Sequence, residues 1–234
     1  MIFNHAKRLL TKTVKSLTGV IMKKNSFYIV AIILMVLSLS GCESGAKFRV
    51  YNNSSYPLYV GMMNGESVTI PAAEQYEFNI DTQTQSILTG EVKKTVLFNM
   101  VGETYNIWDD VEDAYTDTTY VTVKAGQTLS AYIHPNRASI KVINNSSVNI
   151  LRADIYQNNF TSSMRVATLA NINSGTSQFK RVDYATPTRN FYYQVNLIME
   201  DGNIYTYGDQ QNVLHVDRQY AVTLNDPEIT RYSK

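Results

Sequence analysis

The sequence predicts an all-β protein, two tandem antiparallel β-sandwich domains of about 90 residues each, behind an N-terminal targeting segment. Three observations predict it. First, Phe48-Arg49-Val50-Tyr51-Asn52-Asn53-Ser54-Ser55 recurs as Ile140-Lys141-Val142-Ile143-Asn144-Asn145-Ser146-Ser147, identical at five of eight positions with an offset of 92. Second, short runs rich in Val, Ile, Tyr, Thr and Phe follow each copy, separated by polar stretches, as strands and turns require. Third, no stretch of the mature chain has the apolar spacing of an amphipathic helix. The boundaries read as a targeting segment 1–41, a linker 42–46, repeat one 47–137, repeat two 138–228 and a tail 229–234.

The targeting segment comes first. Met22-Lys23-Lys24-Asn25 leads into Phe27–Leu39, thirteen residues with only Tyr28 and Ser38 polar, and then Leu39-Ser40-Gly41-Cys42. A basic start, a short apolar run and small residues at the cut are the order of a secretory signal. Thirteen residues span about 20 Å as a helix, short of the ~30 Å hydrocarbon core, which disfavours a permanent membrane span. Residues 1–21 read either as a long basic leader or as a stretch ahead of a true start at Met22, which alone begins a complete signal.

Leu39-Ser40-Gly41-Cys42 resembles the lipobox of bacterial lipoproteins. The resemblance covers residues 22–42. It implies cleavage between Gly41 and Cys42, acylation of Cys42 and a membrane-anchored, cell-envelope protein with its palmitate-type chains in the bilayer. Several acyl chains on one Cys give lasting attachment, where a single chain binds only marginally. Glu43 is not the Asp that retains enterobacterial lipoproteins at the inner membrane, so the same resemblance implies the outer membrane, facing the periplasm or the surface. Cys42 is the only Cys, which excludes an internal disulfide framework and multi-Cys metal sites. The bland alternative is a small buried hydrophobe.

In repeat one the strand-like runs are Phe48–Tyr51, Leu58–Met62, Ser67–Ile70, Tyr76–Ile80, Thr95–Met100, Thr119–Val123 and Leu129–Ile133. Repeat two offers Ile140–Ile143, Ile150–Tyr156, Met164–Leu169, Gln178–Val182, Phe191–Met199, Ile204–Tyr207, Val213–Val216 and Tyr220–Leu224. Phe48 and Val50 alternate with Arg49 and Tyr51, the period of a half-buried strand. Asn-Asn-Ser-Ser supplies a turn, because Asn tolerates φ > 0 and Asn and Ser bond their own backbone. Further pairs keep the order: Gly102-x-x-Tyr105 with Gly202-x-x-Tyr205, Val121-x-Val123 with Leu214-x-Val216, Leu129-x-Ala131 with Val222-x-Leu224, and Pro135 with Pro227. About seven short strands in about 90 residues point to an immunoglobulin-like sandwich, without the Cys–Trp–Cys framework of true immunoglobulin domains.

The chain has 21 Lys+Arg against 20 Asp+Glu, but residues 1–41 hold six of those bases and no acid. The mature chain is therefore acidic, which argues against nucleic acid as a partner. Residues 48–139, the first copy counted from the repeated motif, carry 11 acids and 5 bases, and residues 140–231 carry 8 of each. Much of the imbalance lies in Asp109–Asp117, a loop flanked by Tyr105, Trp108, Tyr115 and Tyr120. Exposed rings beside carboxylates would suit a sugar, so Tyr105, Trp108, Asp109, Asp110 and Tyr115 form the candidate ligand loop. The competing readings are core packing for Trp108 and a solvated acidic loop. Val111 breaks the Asp-x-Asp-x-Asp pattern, so no metal or other cofactor is expected. His134 and His215 read as strand residues, His215 facing solvent, and no nucleophile or phosphate motif accompanies them.

The expectation is a non-enzymatic, lipid-anchored envelope protein that presents sandwich loops to an unknown protein or glycan. The alternatives are a fimbrial-like structural subunit and a glycan-binding lipoprotein.

Overall fold

The structure, a computed structural model, describes residues 44–63, 65–83 and 91–226. Gly41, Cys42 and Pro227 lie outside them. The first set of strands is β1 (Ala46–Asn52), β2 (Leu58–Met62), β3 (Ser67–Ile70), β4 (Gln75–Ile80), β5 (Lys93–Gly102), β6 (Ile107–Asp109), β7 (Ala114–Thr116), β8 (Thr118–Lys124) and β9 (Thr128–Ile133). The second is β10 (Ala138–Asn144), β11 (Ile150–Asn158), β12 (Ser163–Ile172), β13 (Thr176–Val182), β14 (Tyr192–Met199), β15 (Ile204–Tyr207) and β16 (Gln219–Leu224).

The chain forms two compact units. In the smaller, the Gly126 N–H donates to the Gly45 carbonyl at 2.6 Å and the Ala125 N–H to the Val92 carbonyl at 3.0 Å. Glu91 there pairs with Lys124 at 2.5 Å and Lys93 at 3.3 Å. The larger unit, Lys47–Ile80, Thr95–Val123 and Thr128 onward, contains most of both repeats.

Each repeat is a three-stranded sheet and a four-stranded sheet. The orders are β4-β1-β9 with β3-β2-β5-β8, and β13-β10-β16 with β12-β11-β14-β15. Apart from a two-stranded β6-β7 sheet the orders are the same, so the fold is the tandem β-sandwich the strand pattern predicts. Both repeats depart from the antiparallel rule at the same place: β1 runs parallel to β9, and β10 to β16. That arrangement places the first and last strands of a repeat side by side.

Alternation supplies the core. Phe48, Val50, Leu58, Val60, Ile70, Phe78, Phe98 and Met100 are buried in the first repeat, with the Phe98 ring 4.8 Å from Phe48 and 5.3 Å from Phe78. Ile140, Val142, Ile155, Tyr193, Val195, Leu197 and Val222 fill the second. Burying a side chain of this kind contributes ~1.5–3 kcal/mol.

The Asn-Asn-Ser-Ser turns explain their own recurrence. Asn52 is fully buried; its amide donates to the carbonyls of Tyr56, Ile70 and Pro71, and its Oδ1 accepts from the Ser54 N–H and hydroxyl. Asn144 repeats this with Val148, Ile172 and Ser146. The side chain thus ties the β1–β2 turn to the end of β3, and the β10–β11 turn to the end of β12.

The structure corrects four expectations, one of them the match of Gly102 to Gly202: Gly102 stands opposite Leu58, where repeat two has Met199 opposite Ile150. Val213–Val216 is not a strand: Leu214 is buried and Val216 exposed, because 208–218 forms a loop braced by Asn212 and Leu214 carbonyls that accept from Tyr193 and Ala185. His215 is solvent-facing as expected, but in that loop. Register also moves the closing match by two residues: Ile133 opposite Asn52 corresponds to Leu224 opposite Asn144. Finally, Val121 and Val123 lie on β8, whose place in the sheet order is taken in repeat two by β15, not by Leu214-x-Val216.

On the outer face of β1, Glu77 accepts from Lys47 at 2.5 Å and Arg49 at 2.6 Å, and these bonds hold its carboxyl below the ordinary 4.5. A carboxyl depressed by folding adds stability above its unfolded pKa and loses it as pH falls through the folded one. Glu77→Gln is therefore expected to be less stable than the parent at pH 7. In urea titrations the gap should narrow as pH falls below the ordinary 4.5 and on through the depressed pKa of Glu77.

Candidate functional site

The acidic loop is not a loop throughout. β6 and β7 pair across Trp108↔Tyr115, and the two rings meet edge to face at 4.9 Å and 73°. Both remain about half exposed, Trp108 at 49% and Tyr115 at 47%. Between them the Asp109 carboxylate accepts the Val111 and Glu112 N–H groups at 2.9 and 3.2 Å, and Asp113 takes a left-handed φ of 50°. Aspartate bonds its own turn and tolerates that backbone, so a carboxylate-rich segment can close this hairpin.

Of the five predicted ligand residues, Trp108, Tyr115 and Asp109 come together, and Asp110 is exposed beside them. Tyr105 does not join. Its ring is half-buried, burial pushes its hydroxyl pKa up, and its carbonyl accepts from Arg181 at 3.0 Å. The perpendicular rings make a corner rather than a flat two-ring platform. The Arg137 guanidinium also lies 4.6 Å from the Tyr115 ring centre, a cation–π contact. Among the described residues no cluster of His, Cys, Asp and Glu could hold a metal ion.

The hairpin is braced against a polar joint between the repeats, within the larger unit. Asn106 and Asn136 exchange bonds of 3.0 and 2.8 Å at its base. Asp117, counted in the sequence with the acidic loop, turns away to a two-pronged pair with Arg181, 2.6 Å on each oxygen. Such paired charged bonds are among the stronger ones available. Glu103, 1% exposed, accepts from Lys141 at 2.9 Å, from Tyr59 at 3.2 Å and from the Gln219 amide. Asp217 accepts from the Ser55 hydroxyl and the Thr104 hydroxyl, each at 2.7 Å.

Asp217 gives the joint its logic. In repeat two the Ser147 turn is capped by Asp226 directly after β16. The matching position after β9 is Pro135, which has no carboxylate, and the equivalent Ser55 turn takes Asp217 from the other repeat instead.

Nothing local in the sequence marks the partners that cross between the repeats, which stand 38 to 162 residues apart. The one available trace was the charge split. Two acids of the acidic first repeat, Glu103 and Asp117, meet two bases of the near-neutral second, Lys141 and Arg181.

No family model matches the chain, and no curated protein matches it. Among solved structures it is similar to the TIE protein of Bacillus anthracis, at 9% identity and a TM-score of 0.25, over 79% of this chain and 34% of that one. It is also similar to a candidate cell adhesion protein from Bacteroides ovatus (9%, 0.31, 78% and 92%). The minor pilin of Streptococcus agalactiae is a third (8%, 0.24, 77% and 94%). The chain spans about a third of the TIE protein's length. Scores this low carry no functional weight.

Proposed function

We propose that the protein is a non-enzymatic, lipid-anchored component of a bacterial cell envelope whose tandem sandwiches hold a binding surface toward a partner. The observation that carries this is Leu39-Ser40-Gly41-Cys42 at the end of the thirteen-residue apolar run. Two structural features support it. β1 begins at Ala46, four residues beyond Cys42, so an acyl anchor there would hold the first sandwich on a short tether of about 13 Å. The charged groups of the joint are spent on one another, which suits a scaffold better than a catalyst. If the host follows the enterobacterial sorting rule, Glu43 favours the outer membrane.

Cys42→Ser tests the anchor. Expressed in its bacterial host, the parent should partition into the detergent phase of a Triton X-114 separation and take up an alkyne-tagged fatty acid. The variant should do neither. Equal partitioning and labelling of the two proteins would contradict the proposal.

A further inference from the structure

We infer that a groove on the outer face of the first sandwich binds one sugar residue of a neutral glycan. The inference rests on the binding role proposed above and gives it a site and a ligand class. The groove, of about 240 Å³, lies on β3, β2 and β5. Strand register lays its outward residues in two rows, Thr69–Tyr59–Val101 and Ser67–Gly61–Asn99. The middle of the second row is a glycine in the interior of a central strand. Gly61 is not among the residues of positive φ, so its backbone does not require glycine. A strand-interior glycine often marks a bulge, a tight bend, or close approach of a ligand or another backbone, and the β2 register runs unbroken through Gly61, which leaves close approach.

The second repeat shows the same position filled. Leu58 opposite Gly102 corresponds to Ile150 opposite Met199, and a bulge inserts Leu151 into β11, so Gly61 corresponds to Asp154. Asp154 sits between Thr168 and Asn196, as Gly61 sits between Ser67 and Asn99. Its carboxylate is almost fully buried, accepting from Thr168 at 2.8 Å and pairing with Arg152 at 3.0 Å and Arg165 at 3.6 Å. That face is closed and self-satisfied. In repeat one the flanking hydroxyl and amide persist, the central side chain is gone, Tyr59 stands at the Arg152 position, and no arginine lines the groove.

The lining sets the ligand class. Ser67, Thr69 and Asn99 offer neutral donors and acceptors, and no charged side chain lines the groove, so an ionic ligand would find no partner. Tyr59 and Val101 supply the apolar surface on which a pyranose face can rest. The Tyr59 ring is pre-positioned, because its hydroxyl donates to Glu103, which Lys141 in turn holds. Fixing a contact residue before binding lowers the ordering cost of association. Hydroxyl-bearing and uncharged, with one apolar face, a sugar residue matches this set.

The test is a printed array of neutral, sialylated and sulfated oligosaccharides probed with the purified protein and three variants. Neutral glycans are expected to bind. Gly61→Val should reduce that signal at least tenfold while leaving Tm unchanged or raised, since the new Cβ would meet only the rotatable Ser67 hydroxyl, at 2.9 Å. Tyr59→Ala should lose binding as well, and Trp108→Ala should keep it. No neutral glycan bound, or binding that survives Gly61→Val, would overturn the inference. Binding lost with Trp108→Ala alone would move the site to the hairpin and overturn it too. The array does not depend on acylation of Cys42, so its failure and failure of the anchor are separate results.

Discussion

Asn144→Ala is expected to lower stability by about 3 kcal/mol and Tm by roughly 6–12 °C. Its side chain is fully buried and joins four groups: the carbonyls of Val148 and Ile172, and the Ser146 N–H and hydroxyl. Alanine removes every partner at once and provides no route for water to replace them. A buried group left unsatisfied costs ~1–3 kcal/mol. Asn52→Ala should behave alike, since it serves Tyr56, Ile70, Pro71 and Ser54 in the same way. Ser146→Ala, which removes only the hydroxyl, should lose about 1 kcal/mol. Calorimetry checks the ranking; an Asn144→Ala loss no greater than that of Ser146→Ala would contradict this account of the turns.

Lys141→Ala is expected to cost about 2–3 kcal/mol and to split a single unfolding transition into two. Glu103 is 1% exposed and Lys141 25%, so removing the lysine strands a carboxylate that cannot rehydrate without opening the joint. The Gln219 and Tyr59 donors remain, which keeps the expected loss below that of a fully orphaned charge. The double variant Glu103→Ala/Lys141→Ala should be less destabilised than the sum of the single ones, because neither charge is then left alone. Strict additivity, or one unsplit transition in Lys141→Ala, would show that the repeats are coupled by other means.

The sequence made the strands legible and left the joint hidden, for one physical reason. Strand identity is written in near neighbours: the alternation of Phe48 and Val50 with Arg49 and Tyr51, and a turn of Asn and Ser. Register and pairing depend on residues far away. That is why sequence alone pairs Leu129-x-Ala131 two residues out of step, and why Leu214-x-Val216 has a strand's pattern although a loop buries only its first residue. In the candidate ligand loop, Trp108 and Tyr115 could be named from composition. Their perpendicular packing comes from hairpin pairing, and the diversion of Tyr105 and Asp117 comes from Arg181, 64 residues beyond Asp117. The Gly61 notch is also invisible in one dimension. Only the register of both repeats, bulge included, sets Gly61 beside Asp154.

The most direct measurement is intact mass and N-terminal peptide analysis of the protein purified from its own membrane fraction. The lipid-anchor account predicts a chain whose first residue is Cys42, heavier than the unmodified sequence by its acyl groups, with nothing of the preceding segment attached. A free Cys42 thiol, or a chain still carrying the leader, would contradict it.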